Sequence, residues 1–262
     1  MAIEHPEGAP SWFELATTDQ SAAEAFYSGL FGWSQRKTPL PDGSHYTIFQ
    51  LDGRDVGACY TLMADQVSAG IPAHWGVYFK VADCDATVER VRSGGGQVFC
   101  EPFEVMEHLR MATCADREGA VFNLQQPRAH AGVGVMREPG SVLWVELATR
   151  DVARAEAFYR EVFGWGSEDF PRTPTPYRVL SAGGCDSGFG GMLGMDDQWA
   201  GIPSHWAIYL HVADVDAVLD QAQGLGGKVR VPAFDVPGVG RIARIDDPSG
   251  AGFYVMTPRP AA

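Results

Sequence analysis

The chain repeats itself at a spacing of 131 to 132 residues, and no other feature limits its fold as tightly. Trp12, Glu14 and Asp19, in the segment SWFELATTD, return as Trp144, Glu146 and Asp151, each 132 positions on. Ala25-Phe26-Tyr27 followed by Phe31-Gly32-Trp33 returns as Ala157-Phe158-Tyr159 followed by Phe163-Gly164-Trp165 at the same spacing. One residue is lost near position 40, and the spacing becomes 131. It then relates Gly70-Ile71-Pro72-Ala73-His74-Trp75 to Gly201-Ile202-Pro203-Ser204-His205-Trp206, Val81-Ala82-Asp83 to Val212-Ala213-Asp214, and Arg110 to Arg241. A register kept through a whole half marks a duplication. The 262 residues therefore divide into a first domain, 1–127, a Pro- and Gly-punctuated linker, 128–140, and a second domain, 141–262.

Within a half, the pattern of side chains gives the order of elements. Trp12 to Thr17 alternates apolar and polar residues, as a half-buried strand does. Asp19 opens a helix whose Ala22, Ala25, Phe26 and Leu30 keep a 3.6-residue period, and Gly32 ends it. Tyr46–Leu51 and Val56–Leu62 read as a hairpin across Asp52-Gly53. A second pass of the same plan follows: strand Trp75–Val81, a helix over Asp85–Arg92 stopped by Gly94-Gly95-Gly96, then strands Gln97–Cys100, Arg110–Ala115 and Ala120–Gln125. Each βαβββ unit has too little apolar surface to stand alone, so units pair and share a sheet.

Charge and cysteine usage exclude several classes of function. With 33 acidic and 20 basic residues the formal charge is −13, which repels nucleic acid and anionic membranes. No apolar run reaches the roughly 18 residues of a membrane helix, and the start lacks the pattern of a signal peptide. Five cysteines (Cys59, Cys84, Cys100, Cys114 and Cys185) form no CxxC pair and are odd in number, so reduced thiols in a cytoplasmic protein are expected. No P-loop, dinucleotide fingerprint or Gly-x-Ser-x-Gly elbow is present, and no cofactor is called for.

The strand, Asp, Ala-x-x-Phe-Tyr-x-x-x-Phe-Gly-Trp segment resembles the opening of vicinal oxygen chelate proteins, the superfamily of glyoxalase I, extradiol dioxygenases and bleomycin-resistance proteins. Asp247-Pro248-Ser249-Gly250-Ala251-Gly252-Phe253 and Asp116-Arg117-Glu118-Gly119-Ala120-Val121-Phe122 resemble the turn before that family's last strand. The resemblance covers both halves and is nearest to the tandem glyoxalase-like members. It implies an α+β fold of four βαβββ units paired into two cup-shaped domains, each cup a ligand site. In metal-dependent members four strands supply His or Glu. Those positions fall on Trp12, Ala58–Cys59, Gly76 and Asn123 in the first half, and on Trp144, Phe189–Gly190, Ala207 and Tyr254 in the second. Such side chains make a poor set for a divalent ion, so no metal is expected.

Residues two apart on a strand share a face, so each cup gathers a small set of candidates. For ligand binding these are Trp12, Tyr78, Lys80, Arg110 and Asn123 in the first half and Trp144, Tyr209, Arg241 and Tyr254 in the second, with His108 as an unrepeated addition beside Glu107. Glu14, Glu146 and His211 are candidates for acid–base work. The structural alternatives are core packing for the tryptophans, Glu–Arg ion pairs across each cup, and turn-stabilising hydrogen bonds for His74 and His205. Cys114 reads as a buried hydrophobe rather than a nucleophile. The expected function is metal-independent binding of a small organic metabolite or antibiotic, by a monomer or homodimer. The alternatives are a metal-independent lyase, isomerase or cyclase using a cup glutamate with Tyr, His or Lys, and, less in keeping with the side chains, a metal-dependent glyoxalase or dioxygenase.

Overall fold

The structure is a computed structural model in which residues 3–171, 176–183 and 188–259 are described; Cys185 lies outside them. The first half runs β1 (Pro10–Thr17), α1 (Gln20–Phe31), β2 (Ser34–Pro39), β3 (His45–Leu51), β4 (Arg54–Thr61), α2 (Ala64–Ser68), β5 (His74–Lys80), α3 (Cys84–Ser93), β6 (Gln97–Val105), β7 (Leu109–Ala115) and β8 (Val121–Pro127). The second half repeats the plan as β9 (Val142–Thr149), α4 (Val152–Phe163), β10 (Gly166–Asp169), β11 (Tyr177–Ser181), β12 (Gly190–Gly194), β13 (His205–His211), α5 (Val215–Gly224), β14 (Lys228–Val236), β15 (Gly240–Asp246) and β16 (Gly252–Pro258). The recurring aspartates explain where the long helices begin. Asp19, Asp83, Asp151 and Asp214 each accept a hydrogen bond from the backbone N–H three residues on, the N-cap bond that frees a helix from an orphan donor. Gly32 and Gly164 end α1 and α4 at φ +69° and +71°, which only glycine adopts cheaply.

Each half forms one eight-stranded sheet. The order is β2-β3-β4-β1-β5-β8-β7-β6 in the first and β10-β11-β12-β9-β13-β16-β15-β14 in the second. The two units of a half meet where β1 lies antiparallel to β5, and β9 to β13. This is the α+β architecture of paired βαβββ units. Strand β2 escapes pattern reading because SQRKTP is exposed throughout and carries no apolar alternation. Strand β6 also runs past Cys100 to Val105, carrying register shifts on either side of Cys100 that let it pass Pro102.

One feature was not visible in the repeat: a continuous hydrophobic core runs through both halves. Helix α1 packs on α5, and α3 on α4, so the long helices of one half meet those of the other. Phe26 and Tyr27 touch Phe253, while Phe79 meets Trp165 and Trp206. Reciprocal polar ties cross the same core. Tyr27 donates to Asp247 at 3.3 Å and Tyr159 to Asp116 at 3.0 Å. Trp33 donates to the Gly140 carbonyl and Trp165 to that of Gly8. The aspartates of the family-like turn thus do two jobs. Each caps its own turn through two backbone N–H groups and receives a buried tyrosine from the other half.

Candidate functional site

Strand pleating decides which side chains face the helices and which face the cup. On β1, Phe13 and Leu15 are fully buried in the shared core; Trp12 and Glu14 point the other way. The pairing then lays side chains in rows across each cup. In the first, Trp12 stands beside Tyr78, Tyr78 beside Asn123, and Asn123 beside Thr113. In the second, Trp144 stands beside Tyr209, Tyr209 beside Tyr254, and Tyr254 beside Arg244. Glu14 faces Gly76, and Glu146 faces Ala207, one row along.

The glutamates meet phenols, not arginines. Tyr46 donates to Glu14 Oε1 and Tyr78 to Glu14 Oε2, each at 2.5 Å. Tyr209 donates to Glu146 Oε1 at 2.7 Å, and Tyr177 supplies a further hydrogen bond. The tryptophans complete the motif, since Trp12 donates to the Tyr46 hydroxyl at 3.3 Å and Trp144 to that of Tyr177 at 2.9 Å. Burial pushes both carboxyls above their ordinary value, and the phenol donors offset only part of that rise. Tyr46 and Tyr177 are site residues that pattern reading passed over. The signal was present, because the two are 131 positions apart like every other repeated residue of that stretch.

The other candidates are dispersed. Arg110 and Arg241 do not line the cups. They share a face with the fully buried Ala112 and Ala243, toward the helices, where Asp85 and Asp216 each hold a guanidinium through two hydrogen bonds of 2.7–2.9 Å. The ion pair from either arginine to a cup glutamate is therefore not formed. Strand pleating puts Met111 and Thr113, and Ile242 and Arg244, on the cup face instead, because a one-residue step turns a side chain over. Lys80 donates to the His5 carbonyl at 2.6 Å, and His211 Nδ1 lies 3.0 Å from the Arg137 carbonyl, so both are engaged by chain segments. His74 and His205 bond the carbonyls of Pro72 and Pro203 at 2.8 and 2.9 Å within their turns. Burial pushes the Cys59, Cys84 and Cys114 thiols up to about 12, far from a nucleophilic thiolate at neutral pH.

The cups differ in what covers them. Beyond β8 the chain turns so that the N–H groups of Arg128 and His130 bond the His108 carbonyl, and Val133 and Gly134 then reach Ser11 and Asp55. Residues 128–134 thus form a strap from the β6–β7 turn to β1 and β4. From it the His130 ring packs edge-on against Trp12, centroids 4.4 Å apart at 85°. Trp12 is only 3% exposed; Trp144, its counterpart, is partly exposed. Position 261, 131 positions on from His130, is Ala in the sequence and lies outside the described residues. The second cup instead carries its own apolar patch, in which Tyr209, Ile242 and Tyr254 pack with Trp144, Ala207, Val236, Val239 and Met256. Phe234 pairs with Ile242 and stays 42% exposed, as does Phe103 beside Met111 in the first cup.

The donor set does not suit a metal of the superfamily's kind. Trp12, Gly76 and Asn123 stand in the first cup where ligands are expected, and both oxygens of the one carboxylate, Glu14, accept phenol hydrogen bonds. Among the described residues no three His, Cys, Asp or Glu side chains gather in a way that could hold an ion. Of two surface clefts, of about 330 and 250 Å3, the larger runs along Asp235–Pro237, Arg241 and Thr257–Arg259 and adjoins the second cluster at Val236, while the smaller, beside Gly8, Arg90 and Arg160–Gly164, lies away from both. No helix among the described residues is long and apolar enough to cross a membrane.

Fold and rows of cup residues define a tandem glyoxalase-like protein. The chain belongs to the Glyoxalase/Bleomycin resistance protein/Dioxygenase superfamily, whose model matches residues 9–124 and again 141–255. It is 39% identical over 259 residues to a protein named "Putative glyoxylase CFP32" from Mycobacterium tuberculosis, covering 98% of this chain and 97% of that one. It is 38% identical over 264 residues to the anthracycline biosynthesis protein DauV of a Streptomyces species, covering 97% and 94%. The Mn(II)-bound glyoxalase from Novosphingobium aromaticivorans has the same fold with TM-score 0.65 at 14% identity, over 96% of this chain and 82% of that one.

Proposed function

We propose that this chain is a small-molecule-binding member of the superfamily that works without a metal, and that the second cup is its binding site. The observation that carries this reading is the contrast between two otherwise matched clusters. His130 covers Trp12 in the first cup, whereas Trp144 and Met256 are partly exposed on either side of the buried Tyr209, Tyr254 and Glu146 in the second. Apolar walls with one or two fixed polar groups are what a concave organic-ligand site needs. Aromatic rings stack best on other flat rings, and Tyr209 and Tyr254 already lie parallel, 4.5 Å apart at 7°. Two relatives bear anthracycline biosynthesis in their names, which supports a polycyclic aromatic ligand for this cup. Calorimetric titration with a planar tricyclic quinone is expected to give one site per chain in the wild type and a second, weaker site in His130→Ala. Absence of binding in both proteins would overturn the reading.

The raised Glu146 carboxyl between two phenols also favours a second reading, a metal-independent lyase, isomerase or cyclase with Glu146 as base and a tyrosine as oxyanion donor. Turnover that survives Glu146→Gln would discard it.

A further inference from the structure

The second cup contains a charged group with no counterpart in the first. Arg244 ends the row Trp144, Tyr209, Tyr254, and its side chain is 34% exposed. Its nearest ion-pair partner, Asp246, is already engaged: Asp246 Oδ2 accepts from Arg230 Nε at 2.6 Å, while Arg244 Nη2 stays 3.4 Å from Oδ1. Asp246 is 5% exposed, and its Oδ1 has no hydrogen-bond partner. Two guanidinium groups thus share one carboxylate, which leaves a net positive charge inside a chain of formal charge −13. Gly252 makes the arrangement possible, because a Cβ there would overlap the Arg244 guanidinium. The first half is neutral at these places: Thr113 stands for Arg244, Ala115 for Asp246 and Phe99 for Arg230. There Thr113 donates to Asn123 at 2.8 Å and the pair satisfies itself.

We propose that Arg244 forms an anion subsite, so that the ligand of the second cup is an aromatic organic acid. This rests on the second cup being the binding site. A guanidinium with open donors takes a carboxylate through two parallel hydrogen bonds, which a neutral group cannot reproduce. The ligand's rings lie over Tyr254 and Tyr209, and its far end reaches Glu146 on β9. Strands β9 and β15 are three strand spacings apart, about 14 Å. Allowing for the reach of the arginine, about three fused rings fill that span. Glu146 accepts hydrogen bonds, so a hydroxyl at the end remote from the acid fits it.

The test compares anthraquinone-2-carboxylate with anthraquinone-2-carboxamide, equal in shape but not in charge, by titration into the full-length chain. The carboxylate is expected to bind about tenfold or more tighter, in keeping with charge-assisted hydrogen bonds. Arg244→Gln should erase the difference, and Thr113→Val, at the matching place of the first half, should keep it. Equal binding of both probes to the wild type overturns the anion subsite while leaving the cup as a binding site. That comparison holds even if Arg244→Gln fails to fold. A preference that persists in a folded Arg244→Gln also overturns it. Failure of both probes to bind overturns the cup reading and this inference together.

Discussion

Tyr27→Ala should destabilise both halves of the chain at once, by about 3–5 kcal/mol, the range for deleting a large buried aromatic. Tyr27 lies on α1, yet its surroundings belong to both halves. It is fully buried, stacks on Trp33 and Phe31, and meets Trp75 and Phe253. Its hydroxyl accepts from Trp75 Nε1 at 2.8 Å and donates to Asp247 in the second half. Truncation opens a cavity and strands two buried polar groups, each costly without a partner. Because the core is continuous, urea unfolding followed by far-UV circular dichroism and by tryptophan fluorescence should show one coincident transition, shifted as a whole. Two separated transitions, with only the earlier one moved, would mean that the halves are independent domains. Tyr159→Ala, with Asp116 as the corresponding partner, should behave the same way.

Glu146→Gln should weaken ligand binding by about 10- to 100-fold, the value of a hydrogen bond to a charged group, and should also change how stability depends on pH. Burial disfavours the ionised carboxyl, so the folded protein holds this proton more tightly than the unfolded chain does. Stability is then greatest below the ordinary value of 4.5 and falls as pH rises from there through the higher folded value. The glutamine cannot ionise and removes that fall. Urea midpoints measured from pH 4 to pH 8 should show the variant gaining on the wild type as pH rises. Parallel profiles would show that Glu146 is not the buried acid the structure describes.

Much of the fold could be read because repetition multiplies weak signals. One Asp before an apolar period is an ordinary helix start; the same Asp at 19, 83, 151 and 214 marks four units, and all four are N-caps in the structure. The shared core was not legible, since Tyr27 and Asp247 sit in different halves and nothing in a linear pattern pairs them. The site was legible in part. Trp12, Glu14, Tyr78 and Asn123 fall on one face of β1, β5 and β8, as period-two reasoning requires. Tyr46 and Tyr177 were missed because they come from strands next to the loop where the repeat loses a residue. Arg110 and Arg241 were placed on the wrong face because an alternating strand of mixed small residues gives no internal sign of which side is buried. His130 lies in the Pro- and Gly-punctuated linker, where no periodicity signals its place, and only the strap's hydrogen bonds show that it crosses a cup. Arg244 breaks the repeat where Thr113 stands, and that break is its signal in the sequence.

The most direct measurement of the central claim is a crystal structure of the chain grown with anthraquinone-2-carboxylate. The account predicts electron density for one ligand in the second cup, its rings over Tyr254 and Tyr209, its carboxylate on Arg244, and His130 still seated against Trp12. Density in the first cup alone, with His130 displaced from Trp12, would contradict it.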